Sequence, residues 1–370
     1  MKIAVVTEYY YPSLGGVTEH VHHFCLEALK LGHEPVIITA DAGRDPYMGE
    51  PPFEIIRIGK SVPIYSNGSI ARVAVGFNIC RRLKEVFRSE QFDIIHIHSP
   101  FVPTLPHFAQ RYADTTTVGT FHTQFNSSGY LRFYRRTIEK FFNSLDGRIA
   151  VSKLCIESMG RYFTGEYRII PNGVDTAKFR PDCEKIPQFD DGKLNIFFLS
   201  RLEPRNGLEY LISAFSSLCQ DRSDLRLIIG GDGPLKGFFK SLVPAVAKPH
   251  VHFIGRINGV RPNYYSTSDI FCFPATKVSF GITILEAMAA GKPVVTFSMP
   301  AYDGIITDGV DGLLCGSPSA DGLAATLSRL ANSAEEIKKI GIAARSSSER
   351  FAWARVAGEI INYYEEIKGN

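Results

Sequence analysis

Residues 1–39 read MKIAVVTEYYYPSLGGVTEHVHHFCLEALKLGHEPVIIT. A short apolar run, Lys2 to Thr7, gives way to a glycine turn, a helical pattern over Val17 to Leu31 and a second apolar run, Pro35 to Thr39. Strand, helix and strand in that order form a parallel pair, because parallel neighbours need a long crossover between them. The pattern recurs: Ile55 to Ile58, a helix from about Ser69 to Ser89, strand Phe92 to Ile97, a helix over Thr104 to Tyr112, and strands Val118 to Phe121 and Gly147 to Val151. Strands this continuously apolar are buried on both faces, so the sheet is expected to be parallel and covered by helices on each side.

The alternation restarts after a polar stretch with Pro181, Pro187 and the pair Asp190-Asp191. Strands follow at Asn195 to Ser200, Leu225 to Ile229, Val251 to Ile254, Ile270 to Phe273 and Pro293 to Thr296. Within 370 residues this predicts two doubly wound α/β domains. Their expected bounds are 1–175 and 195–351, with a linker over 176–194 and a final helix, 352–370, returning to the first domain.

Composition excludes several classes. The charged fraction of 21% and apolar fraction of 45% are those of a globular chain, and no apolar run approaches a membrane span. A net charge of +3 gives no argument for nucleic-acid binding. Seven scattered cysteines without a C-x-x-C pair read as reduced thiols, with no zinc site and no other metal or cofactor expected. The opening residues lack a secretory signal, so the expected place is the cytoplasm.

Four segments carry chemistry. Gly15 and Gly16 follow the first strand and open the first helix, where bare backbone N–H groups suit an anion; a turn serving chain geometry alone is the competing reading. Gly231, in GGDGP after strand LRLII, has the same two readings. Arg201 and Arg205, in RLEPRNGLEYL at a strand end, present two guanidinium groups able to clamp a diphosphate. In VSFGITILEAMAAG, residues 278–291, Ser279, Phe280, Gly281 and Ile282 lead into a helix whose N–H groups can hold phosphate. Glu286 within it needs a partner, either a nucleotide ribose or an internal salt bridge.

With these motifs the chain resembles the GT-B family of retaining glycosyltransferases, and within it the phosphatidylinositol mannosyltransferases. The resemblance spans essentially the whole length, through GGV (15–17), FDIIHIHSP (92–100), TFHTQ (120–124), IIPNGVD (169–175), EPRNG (203–207), FIGRI (253–257) and SFGITILEAMAAGKPVV (279–295). It implies two Rossmann-like domains facing a cleft and a nucleotide-sugar donor. Gly16 would pack on the donor diphosphate, Arg201 would neutralise it as it leaves, and Glu286 would hold the ribose. Gly15, Arg205, Asn206, Gly231, Ile257 and residues Ser279 to Ile282 would complete the donor site. His122 would lie beside the transferred sugar. Such enzymes rely on electrostatic stabilisation of the leaving diphosphate, without a protein nucleophile or a metal. Two donor-site positions depart from the pattern, Asn206 where the family usually has Lys and Val278 where it has Glu, and on the acceptor side Gln124 to Ser128 lack the Lys that the mannosyltransferases carry after FHT.

The stretch from Ser69 to Gln91 mixes Ile70, Val73, Phe77, Leu83 and Val86 with Arg72, Arg81, Arg82, Lys84 and Arg88, as an interfacial helix on anionic lipid does. An ordinary surface helix is the alternative. Tyr9, Asn67 and Arg72 are candidate acceptor contacts. The leading expectation is transfer of a hexose, mannose from GDP-mannose, to an inositol phospholipid or related lipid-linked acceptor, by a protein peripheral on the inner face of the membrane. The competing one is a catalytically impaired relative that binds nucleotide or lipid as a non-enzymatic partner.

Overall fold

The computed structural model describes residues 1–370 except Leu14, residues 44–49, Asn67, Gly68, Asn126, Asn258 and Asn370, and describes no side chains for residues 65, 66 and 69–71. The chain divides into two units, Met1–Asn172 with Trp353–Asn370, and Gly173–Ala352.

In the first unit the elements run β1 (Lys2–Thr7), α1 (Gly16–Lys30), β2 (Glu34–Asp41), β3 (Glu54–Ser66), β4 (Ser69–Val75), α2 (Ile79–Glu90), β5 (Ile94–His98), α3 (Leu105–Tyr112), β6 (Thr116–Phe121), α4 (Gly129–Phe133), α5 (Arg135–Asn143), β7 (Gly147–Ala150), α6 (Lys153–Gly160) and β8 (Arg168–Ile169). The sheet order is β4-β3-β2-β1-β5-β6-β7-β8. All pairs are parallel except β3 with β4. Alternate residues of β1 serve opposite faces, as the pleat requires. Ile3 and Val5 join a core with Val21 and Phe24 of α1, and Ala4 and Val6 join one with Leu83 and Val86 of α2.

The expected helix over 69–89 is corrected. Residues 69–75 form β4, antiparallel to β3, with Val73 opposite Val62 and Arg72 opposite Pro63. SIARVAV lacks helical spacing, and Gly76 and Asn78 separate it from α2. Leu83 and Val86, counted as lipid-facing, are core residues.

The second unit comprises β9 (Leu194–Leu199), α7 (Leu208–Leu218), β10 (Leu225–Gly230), α8 (Lys236–Ser241), β11 (Val251–Gly255), α9 (Arg261–Thr267), β12 (Ile270–Cys272), α10 (Ile282–Ala289), β13 (Val294–Phe297), β14 (Leu313–Cys315), α11 (Ala320–Ala331) and α12 (Ala334–Ser348). Its sheet is β11-β10-β9-β12-β13-β14, parallel throughout. The polar stretch 176–194 is anchored here: Phe179 and Phe189 are buried, and Arg345 donates to the carbonyls of Thr176 and Phe179 at 3.0 and 2.9 Å. The last helix, α13 (Trp353–Lys368), lies in the first unit, where Val356, Ile360 and Tyr364 pack with Val21 and Phe24.

Candidate active site

Each sheet reverses its strand order once, between β1 and β5 and between β9 and β12. In such sheets ligands bind outside the carboxyl ends of the strands at the reversal. In both units several of the candidate residues fall near there, while Arg72 on β4 and the basic residues of α2 lie elsewhere.

In the second unit, Arg201 follows β9, Gly231 follows β10, and residues 273–282 connect β12 to α10. Gly231 has φ 112°, and a Cβ there would sit 1.8 Å from the Ser200 carbonyl oxygen; Gly207, φ 72°, would meet the Pro274 oxygen at the same distance. Only glycine lets these loops touch. The Glu203 carboxylate takes Arg205 Nε at 2.9 Å and Arg201 Nη1 at 3.5 Å. Asn206 is buried, and its amide donates to the Arg201 carbonyl at 2.7 Å. The Arg205 carbonyl accepts from Thr276 N at 2.9 Å and Lys277 N at 3.3 Å. Residues 201–207 and 274–277 thus form one hydrogen-bonded block. Gly281, φ 91°, caps α10, which begins at Ile282. Ile257 and Phe280 are buried, so their side chains serve the core.

Glu286 is 2% exposed, with one oxygen 2.7 Å from Arg261 Nη1 and the other accepting from the Tyr265 hydroxyl at 2.9 Å. The internal salt bridge weighed from sequence is therefore present. A carboxylate oxygen has two acceptor sites, so pairing leaves capacity for a hydroxyl.

In the first unit Gly15 and Gly16 are exposed at the start of α1, and a Cβ on Gly15 would meet nothing within 4 Å. The helix presents free N–H groups and its positive dipole end there. Tyr9 follows β1, its N–H held by Thr7 Oγ1 at 3.1 Å. Arg72 lies on β4 and donates to Ser61 Oγ at 2.9 Å. Asn67 is outside the described residues. On α2, Arg81, Arg82, Lys84 and Arg88 are exposed; Arg81 and Arg82 face Glu85 at 3.6 and 3.5 Å, and Lys84 lies over the Tyr112 ring. Fully exposed Phe77 and half-exposed Val75 lie just before it.

His122 follows β6 at 9% exposure and belongs to a cluster the sequence reading did not assemble. Its Nε2 is 2.8 Å from His98 Nδ1, and the two rings stack at 5.1 Å. His20 lies edge-on to both, bonded through Nδ1 to Asn172 Oδ1 at 2.8 Å, and Trp353 packs on His20. His96 bonds Thr120 and the Tyr364 hydroxyl. Burial disfavours the charged ring, lowering His20 to about 4, His96 to about 3, and His98 and His122 well below the usual value. The signal available was HIH at 96–98: positions i and i+2 of a strand share a face. Among the described residues no group of three or more His, Cys, Asp or Glu side chains is arranged to hold a metal.

Glu8 was also missed. It sits buried at the end of β1 and accepts from Thr104 Oγ1 and, at 2.9 Å, from Leu105 N at the start of α3. Burial raises the carboxyl to about 7, against the hydrogen bonds that hold it.

Comparisons place this geometry. The family described as Glycosyltransferase Family 4 matches residues 14–178, and Glycosyl transferases group 1 matches residues 179–347. The chain belongs to these GT-B glycosyltransferases and is an enzyme of that class. It is 31% identical to a phosphatidyl-myo-inositol mannosyltransferase of Mycolicibacterium smegmatis, over 100% of this chain and 95% of that protein. A GDP-mannose-dependent alpha-mannosyltransferase of the same organism is 26% identical, over 100% of this chain and 98% of its own. The solved Anabaena Alr3699/HepE structure with UDP and glucose has the same fold, with TM-score 0.77 at 18% identity over 99% of each chain.

Proposed function

We propose that the chain is a retaining transferase that moves mannose from GDP-mannose to an inositol phospholipid or a related lipid-linked acceptor. The observation that carries this reading is the hydrogen-bonded block of residues 201–207 and 274–277, in which two guanidinium groups meet a shared carboxylate at the strand reversal. It offers net positive charge to a departing diphosphate, the interaction this chemistry needs most. Gly16, at the open start of α1 in the first unit, offers backbone N–H groups of the kind that hold an anion. His122 lies beside the sugar, Glu286 takes a ribose hydroxyl while holding Arg261, and Arg201 and Arg205 stand in for a metal. The relatives matched over the full length support mannose, GDP and an inositol lipid by their names. They are transferases, and nothing in the comparisons supports the non-catalytic alternative.

On the acceptor side, Tyr9 and Arg72 approach the lipid headgroup, and α2 lies on the anionic inner face of the membrane. Support for the surface role comes from exposed Phe77 and Val75 beside the basic side chains of α2, an aromatic and cationic combination suited to a lipid interface. Among the described residues no helix is long and apolar enough to cross the membrane.

The test is a panel of GDP- and UDP-sugars, each incubated with the chain and vesicles containing phosphatidylinositol, scored for nucleotide release and glycolipid. A mannolipid formed from GDP-mannose is the expected product. Transfer from a UDP-sugar alone, or to water-soluble acceptors alone, would overturn the donor or the acceptor.

A further inference from the structure

Two neutral imidazoles joined by one hydrogen bond share one proton, and the rest of the pair decides which ring owns it. For His98 and His122 there are two arrangements. In one, His98 Nδ1–H donates to His122 Nε2, so His98 Nε2 is a bare lone pair and His122 carries its proton on Nδ1. In the other, His122 Nε2–H donates and His98 must carry its proton on Nε2. His98 Nε2 is buried and has no hydrogen-bond partner. The second arrangement therefore strands an N–H in a dry site, and orphaned buried N–H groups are rarer than unpaired acceptors. His20 does not relieve it: its Nδ1 is bonded to Asn172 Oδ1, and its Nε2, like that of His98, is without a partner, so no hydrogen bond joins the two rings.

We propose that His98 is a positioning residue for His122. Its Nδ1–H holds His122 as a neutral ring whose one uncommitted nitrogen, Nδ1, donates to an oxygen of the bound sugar nucleotide. The proposal rests on the reading of His122 as a neighbour of the transferred sugar. It follows that His122 orients an oxygen and does not take the acceptor's proton, because its basic nitrogen is spent on His98. His96, tilted against His98 at 4.3 Å and bonded through both nitrogens, together with His20 at its edge, walls in the pair.

The decisive measurement is long-range proton–nitrogen correlation of the chain labelled in its histidine rings, with His122 assigned by its loss in His122→Gln. The expected spectrum shows His122 protonated at Nδ1 and bare at Nε2, unchanged between pH 8 and 6. In His98→Phe the expected spectrum is a mixture of tautomers. The turnover number should fall roughly 10- to 100-fold, as misorientation of a reacting group does, with little change in KM for the donor. In His98→Asn an amide N–H replaces Nδ1, so both tautomer and turnover should recover; Trp353 fluorescence checks that each variant is folded. A His122 protonated at Nε2 in the parent chain, or a His98→Phe variant with an unaltered tautomer, refutes the proposal. Absence of turnover with every sugar nucleotide counts against the transferase reading, whereas the ring spectra decide the role of His98 regardless.

Discussion

Lowering the pH from 7 to 5.5 should destabilise the first unit by several kcal/mol, through its four buried histidines. His20, His96, His98 and His122 are held neutral by burial, His20 down to about 4 and His96 to about 3. In the unfolded chain each has the ordinary value near 6.5, so below that pH the unfolded state binds protons that the folded state refuses. Stability is therefore full above pH 6.5 and is lost as pH falls toward the folded values. Over this interval each ring costs roughly 1 kcal/mol, and the four together about 4 to 5 kcal/mol. Glu8 acts with the opposite sign. Its folded carboxyl, raised to about 7, keeps a proton that the unfolded one loses near 4.5, so its contribution is present at low pH and fades as pH rises to 7. That offsets roughly 1 to 2 kcal/mol, leaving a net loss of about 3 to 4 kcal/mol. Trp353 is the single tryptophan and packs against His20 and His23, so its fluorescence reports this unit. With a urea slope of about 2 kcal/mol/M, the midpoint should drop by about 1.5 to 2 M. An unchanged midpoint, or cluster ring signals titrating near pH 6.5, would refute the account.

Arg201→Ala should weaken binding of a nucleoside diphosphate by about 10- to 100-fold, the value of one charge-assisted phosphate contact, measured by calorimetry; equal affinity contradicts the clamp. Reversing Arg81, Arg82 and Lys84 to Glu should abolish co-sedimentation with anionic vesicles while leaving the far-ultraviolet spectrum intact, since these side chains are exposed. Retained co-sedimentation would remove α2 from the membrane-binding surface. Gly231→Ala should cost at least about 2 kcal/mol in thermal or urea unfolding, because its φ of 112° is foreign to alanine and the new methyl would strike the Ser200 carbonyl; a neutral result would mean that the β10 loop moves freely away from β9.

The parallel sheets were legible because apolar strands and crossover helices differ in period and length, and residues such as Val36 to Ile38 bury both faces. The stretch 69–89 was misread because its basic residues were counted around a helix, although Arg72 and Val73 belong to a hairpin strand whose pairing is set by β3. Charge and apolarity carry no phase unless tied to one period. The glycine turns and arginines declared themselves by standing at strand ends. The histidine cluster did not, since His20, His98 and His122 come from three separate segments and meet only when α1, β5 and β6 are assembled. Glu8 was hidden for a similar reason: its partners Thr104 and Leu105 lie far along the chain.

Asn206 and Val278, the two departures from the family pattern, are best understood together. Replacing Lys by Asn removes one positive charge and replacing Glu by Val removes one negative charge, so the pair leaves the net charge of the donor block as it was. What remains is Arg201, Arg205 and Lys277 against Glu203, an excess of cations in the loops that follow β9 and β12. Asn206 also takes on a task for which an ammonium is poorly shaped. Its planar amide, buried beneath the loop, fixes the Arg201 carbonyl at 2.7 Å and so sets where the Arg201 side chain starts. A lysine there would carry a charge of its own; the asparagine instead ties down the backbone from which the Arg201 side chain departs. Positioning of an existing guanidinium costs no reorganisation when the leaving group develops charge, which is the property that makes preorganised electrostatics effective. On the proposed reading of this block, the two replacements leave its net charge unchanged and alter only which side chains carry it.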